Sequence, residues 1–254
     1  MSEALQMNVE AMDRAHEIVQ FDRQTLGFDI EIWLAALRGR TLVMLDRQEE
    51  ARPFLDRVLQ LESSQVDPVH QVMPSMAYVD AAWAQKNPGL AREHADRAFA
   101  IAIKSGNPYL RVYAQASRGL SHIVSGRLTS AIEDLFEALR FARSRKAGLE
   151  NEPRILADLA NAYRLNGDTQ NAFSVVNEAI KVAIERNARV PECLARIVHA
   201  QLLLSGTSDQ KLAGSRELER AQALMQETGA MIFKAMITPP GDELPGAQAS
   251  VKAN

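Results

Sequence analysis

Six five-residue stretches of this chain are near copies of one another: RAHEI, RVLQL, RAFAI, EALRF, EAIKV and RAQAL, beginning at Arg14, Arg57, Arg97, Glu137, Glu178 and Arg220. Their second residues, Ala15, Val58, Ala98, Ala138, Ala179 and Ala221, lie 43, 40, 40, 41 and 42 positions apart. A period held this narrowly over five intervals restricts the chain to a repeat architecture. Upstream of four of these marks the helical pattern breaks in a short polar turn, LDRQEEA, QKNPGLA, VSGRLTSA and LNGDTQNA, each ending in the alanine that opens the next apolar run (Ala51, Ala91, Ala131, Ala172). In the fifth, LSGTSDQKLAGS, the turn reads as longer. A second breaker follows each mark, and Pro68, Pro108, Pro153 and Pro191 fall where the next helix would begin, a position that tolerates the missing N–H.

The unit is therefore helix, tight turn, helix, loop. No segment alternates apolar and polar residues long enough to form a strand. A helix pair of this size cannot bury its apolar stripe alone and does so by stacking on its neighbours. The expected fold is all-α, a solenoid of about five helix pairs over residues 29–66, 67–106, 107–148, 149–188 and 190–229, preceded by a leading helix over 5–25. Together these form one domain, 1–237. Residues 238–254, rich in Pro and Gly without periodicity, read as a disordered tail. The half repeat at the N-terminus reads as a cap, or as a cut inside a longer array.

The composition agrees, since aromatic residues make up only 6% of a chain that is 46% hydrophobic, a balance that favours helix over sheet. The net charge of −3 offers no basic surface for nucleic acid. A single cysteine, Cys193, excludes an internal disulfide and suits a reducing compartment. No long uncharged apolar run suggests a membrane span. The N-terminal sequence carries acids rather than a signal-peptide core. A cytoplasmic protein is expected.

The clearest unit, ILADLANAYRLNGDTQNAFSVVNEAIKV (155–182), resembles a tetratricopeptide repeat in Leu156, Leu159, Ala160, Tyr163, Gly167, Asp168, Ala172 and Ala179. In the same register Gly39, Ala51 and Leu55 serve the first pair, and Gly119, Ala131, Leu135 and Ala138 the third. The second pair places Val79 where a small residue is expected, and the fifth fits loosely around Gly206–Gly214. The stretches GNPYLRVYAQASRGL, KAGLENEPRILADLANAYRLNGD, RNARVPECLARIVHAQLLL and LERAQALMQETGA are similar to the C-terminal repeat region of bacterial class III adenylate or guanylate cyclase-like signalling proteins. The resemblance covers roughly residues 31–236. It implies a right-handed superhelix of antiparallel pairs acting as a non-catalytic interaction or sensory scaffold of such a protein. The alternative is the small-molecule-sensing repeat module of a transcription regulator.

Little in the chain signals chemistry of its own. There is no phosphate-binding glycine loop, and no Cys/His spacing suited to a metal. Glu133 and Glu137 share a helix face without a closed pocket, so no catalytic residue, cofactor or metal is expected. The positions expected to pack are Gly39, Ala51, Ala98, Gly119, Ala131, Ala138, Ala160, Tyr163, Ala172, Ala179 and Ala221. The repeat register implies that the first helices line the concave side, with Trp33, Arg40, Tyr113, Arg154, Asn161 and Arg164 facing the groove. Aromatic residues with three arginines suit an acidic extended segment, from a protein partner or from the rest of the same polypeptide. A homodimer is compatible with this reading. Because no apolar period continues past Met236, truncation after that residue should leave helical content and melting temperature nearly intact by circular dichroism. A loss of several degrees would show that the tail docks.

Overall fold

The computed structural model describes residues 1–15, 30–61 and 67–237. The expected leading helix beyond Ala15 and the tail 238–254 lie outside them. The described residues form α-helices, with short 3-10 turns and no strand: α1 (Ser2–Ala15), α2 (Ile30–Met44), α3 (Gln48–Leu59), α4 (Pro68–Ala84), α5 (Pro88–Ser105), α6 (Pro108–Val124), α7 (Leu128–Arg145), α8 (Glu152–Leu165), α9 (Thr169–Glu185), α10 (Arg189–Leu204), α11 (Ser208–Thr228) and the single turn α12 (Lys234–Ile237). Helices pack neighbour to neighbour. Each of α2, α4, α6, α8 and α10 packs on the helix that follows it, and these first helices also pack on one another along the row.

One turn sets four of the five pairs, and the same turn recurs at Asn187 between the fourth pair and the fifth. Asp46, Lys86, Gly126 and Gly167 adopt the left-handed conformation with φ of 62°, 54°, 69° and 80°. Their N–H groups donate to the carbonyls of Val43, Trp83, Ile123 and Arg164. The next N–H groups, of Arg47, Asn87, Arg127 and Asp168, reach back to Leu42, Ala82, His122 and Tyr163. This double bond pattern satisfies the carbonyls that a helix end leaves open. The residue that closes one helix also starts the next, since the N–H groups of Ala51, Ala91, Ala131 and Ala172 donate to the carbonyls of Arg47, Asn87, Arg127 and Asp168. Asn87 and Asp168 add side-chain caps to Leu90 and Asn171. With no spare residue in the link, the opening alanine lies against the preceding helix, and all four are buried.

The fifth pair differs from expectation. Its link is short, Ser205 to Thr207, and Thr207 forms a capping box with Gln210. Gly214 is therefore inside α11 rather than in a turn. A Cβ there would lie 3.0 Å from Leu204 Cγ and 3.1 Å from the Ala200 carbonyl. A polar run read as a loop is a well-capped helix start.

The six marks of the repeat are all buried, from Ala15 to Ala221. The crossing of first and second helices follows a size rule. A Cβ on Gly39 would meet Leu55 Cγ at 2.7 Å, and one on Gly119 would meet Leu135 Cγ at 2.6 Å, so the leucine occupies the space that the glycine leaves. The same offset of sixteen residues pairs Val79 with Ala95 and Ala160 with Val176, all buried in one core. Val79 thus fits because its facing position has become small. Replacing Gly119 by Val alone should overpack the crossing and cost about 1–3 kcal/mol. Adding Leu135→Ala copies the second pair and should recover most of that loss in the denaturation midpoint, whereas additive losses would refute the exchange rule.

Candidate functional site

The first helices share a common occupant. After α11 the chain turns through Gly229 (φ 72°) into Met231–Phe233 and α12, and this segment lies against α2 and α4. Phe233 is fully buried and meets Trp83 of α4 edge-on, ring centroids 5.9 Å apart. The Arg154 guanidinium of α8 stands 5.8 Å from the Phe233 ring, and Gln201 of α10 donates from Nε2 to the Met236 carbonyl at 3.0 Å. First helices of four pairs thus converge on one short segment. The Met1 amine donates to the Thr228 carbonyl at 2.7 Å, so the two ends of the row meet. The sequence signal was the apolar run MIFKAMI following the last repeat mark.

Arg154 is the hub of this face. Its Nη2 donates to Asp80 Oδ1 at 2.9 Å and its Nε to Asp158 Oδ2 at 2.8 Å. The first bond joins the second pair to the fourth across 74 residues, bypassing the third. Burial opposes the Arg154 charge, but the two carboxylates outweigh it and hold the guanidinium above its ordinary pKa. Burial pushes the Asp158 carboxyl up, against the pull of Arg154. Arg154 is accordingly committed within the fold.

The other expected groove residues fall into three places. Trp33 tilts against His70 at 5.5 Å and packs beside Ala36, Val58 and Met73. Arg40 and Tyr113 line a small recess with Tyr109, and the Tyr113 hydroxyl donates to Glu150 Oε1 at 2.8 Å. Asn161 and Arg164 line a larger cavity of about 360 Å³ between the C-terminal ends of α4, α6 and α8 and the terminal segment. The Arg164 Nε and Nη2 both donate to Asn161 Oδ1, at 3.2 and 2.8 Å. No carboxylate of the described residues pairs with Arg164, and burial lowers its pKa.

Several other charged groups are held in structural ion pairs. Glu152 and Glu192, buried in the first turns of α8 and α10, are each held by two arginines: Arg143 and Arg186 on Glu152, Arg189 and Arg196 on Glu192. Such carboxylates suit helix N-termini, and their forty-residue spacing repeats the period of the fold. Asp134 takes a bidentate fork from Arg118 and a bond from Gln115. The basic run 140–146 closes α7, with Arg140 on Glu137. The Cys193 thiol is buried against the Ala221 carbonyl, and burial pushes its pKa up to about 12, so it is not poised as a thiolate. Among the described residues no group of His, Cys, Asp and Glu could hold a metal ion, and no helix is long and apolar enough to cross a membrane. No family model matches the chain, and no curated protein matches it.

Replacing Arg154 by Met should destabilise the chain by about 3–5 kcal/mol, because it strands two carboxylates. Folded Asp158 keeps its proton to higher pH than the unfolded chain does. Its contribution to stability is therefore full below the ordinary carboxylate pKa and is lost as pH rises through the folded value. The wild type minus Asp158→Asn difference in melting temperature should fall over that window, and a flat or rising difference would contradict the assignment.

Proposed function

We propose that this chain is a non-catalytic binding scaffold that accepts polypeptide segments on the face formed by its first helices. In this reading the pairs are antiparallel, of the tetratricopeptide type, and wind into a right-handed solenoid. The scaffold serves in the cytoplasm as the regulatory repeat region of a nucleotide-cyclase-like signalling protein, and its partner segment is acidic. One observation carries the proposal: the face already holds a stretch of polypeptide, with Phe233 inserted between Trp83 and Arg154 and a backbone carbonyl taken by Gln201. An aromatic anchor in a pocket with main-chain hydrogen bonds beside it is how such faces hold peptides. Arg40 and Arg164, which have no carboxylate partner among the described residues, supply the preference for an acidic segment.

Phe233→Ala weakens the hold on the chain's own segment. A fluorescent peptide covering residues 228–239 should then bind the Phe233→Ala chain at least tenfold tighter than the wild type, read by anisotropy. Arg164→Glu added to that variant should weaken an acidic partner peptide more than the native one. If the Phe233→Ala chain remains folded and binds neither peptide, the scaffold reading fails.

A further inference from the structure

The cavity beside Arg164 has a chemistry of its own. Its volume of about 360 Å³ falls in the roughly 300–1,000 Å³ range of small-molecule sites. Twelve residues line it, two of them cations, Arg164 and Lys86, and none an acid, in a chain whose net charge is −3. Most of the wall is apolar, contributed by Trp83, Ile123 and Leu165 on one side and Ile232 and Met236 on the other.

Arg164 is the anomaly in this wall. The forks of Arg154, Arg118 and Arg196 each close on a carboxylate, and that of Arg164 does not. No hydrogen bond joins Arg164 to a nearby helix-end carbonyl, and those of Trp83, Ile123, Tyr163 and Arg164 each accept from an N–H group of the turns. Arg164 rests on a single amide oxygen, and a half-buried guanidinium without an anion is costly. Asn161, itself 4% exposed, spends its Oδ1 on Arg164 and keeps its amide nitrogen as a donor in the same wall. Gln201, also in the lining, has its Oε1 buried without a partner. The lining of this largely apolar space thus includes unspent donors on Arg164, Asn161 and Lys86 and a residue, Gln201, with a buried unpaired acceptor.

We propose that this cavity binds a small organic acid with an apolar or aromatic body, its carboxylate on Arg164 and Asn161 and its body between Trp83, Ile123 and Met236. Because Ile232, Ala235 and Met236 form one wall, the ligand bridges the terminal segment to the first helices and holds that segment down. The inference does not depend on the partner reading above. A free acid is favoured over a polypeptide side chain because the segment that would have to leave to admit a polypeptide is itself part of the site.

The test uses the full chain and indole-3-propionate, which carries a carboxylate, an aromatic body and an N–H donor. By calorimetry it should bind saturably, at least tenfold tighter than its neutral amide, a difference of about 1.4 kcal/mol. Arg164→Gln should abolish the preference for the acid while circular dichroism and melting temperature report an intact fold. Ala235→Trp, at an exposed position on the cavity wall, should block binding of both compounds without touching the charge. Bound acid should also slow tryptic cleavage after Lys234. Equal binding of acid and amide, unchanged preference in Arg164→Gln, or no saturable binding up to about 10 mM (roughly −2.7 kcal/mol) would overturn the proposal. Binding that leaves cleavage after Lys234 unchanged would overturn the bridging role.

Discussion

One guanidinium holds two distant parts of this molecule in place. Arg154, from the fourth pair, reaches past the third to Asp80 of the second while also gripping Asp158 on its own helix, and Phe233 closes over it. A desolvated ion pair of this kind adds little net stability over a well-packed apolar contact, because removing charges from water offsets most of the attraction. It is instead demanding in geometry, since breaking it strands a buried charge. The planar fork fixes distance and angle together. The curvature that brings four first helices onto one segment thus depends on a contact that tolerates few alternatives. The excess acid beside it, two carboxylates for one cation, makes that contact responsive to protonation.

The rest of the scaffold is more forgiving, because it specifies volumes and backbone angles rather than particular residues. The helix crossings accept Gly with Leu or Val with Ala so long as the facing pair fills the same space. The turns accept Asp46 and Lys86 in the left-handed conformation that Gly126 and Gly167 adopt with less strain, at a cost of about 1–2 kcal/mol for the non-glycine residues. Degenerate repeats survive because each departure is matched locally.

That distinction explains what could be read from the chain beforehand. Helix pairs, the prolines at helix starts and the buried small positions follow from local periodicity, which a sequence displays directly. The second pair looks irregular in sequence because Ala95, which compensates Val79, lies sixteen positions away on the facing helix, where a local pattern does not show it. The turn of the fifth pair reads as long in the sequence because Thr207 and Gln210 are polar, and capping residues and loop residues share that property. Arg154, Asn161 and Arg164 were legible as residues of one helix face, but not their different fates. Those depend on Asp80, 74 positions away, and on a terminal segment that meets the first helices only because the ends of the row come together. Contacts at such separations leave no periodic trace.

The terminal segment also sets how the two proposed binding events relate. It shares the first-helix face with any polypeptide bound there, and it forms one wall of the cavity. A small acid bound as proposed touches both walls and so binds the docked arrangement more tightly, which shifts the chain toward that arrangement. A polypeptide that displaces the segment shifts it the other way. Linkage then fixes the sign without further assumption: the acid weakens polypeptide binding by the factor by which the polypeptide weakens the acid's. The size of that coupling is bounded by the docking energy of the segment, which rests chiefly on burying Phe233 and Ile232. On these two proposals, a face closed by its own chain, with a cavity under the closure, would report a small acid as a change in partner affinity without any rearrangement of the repeats themselves.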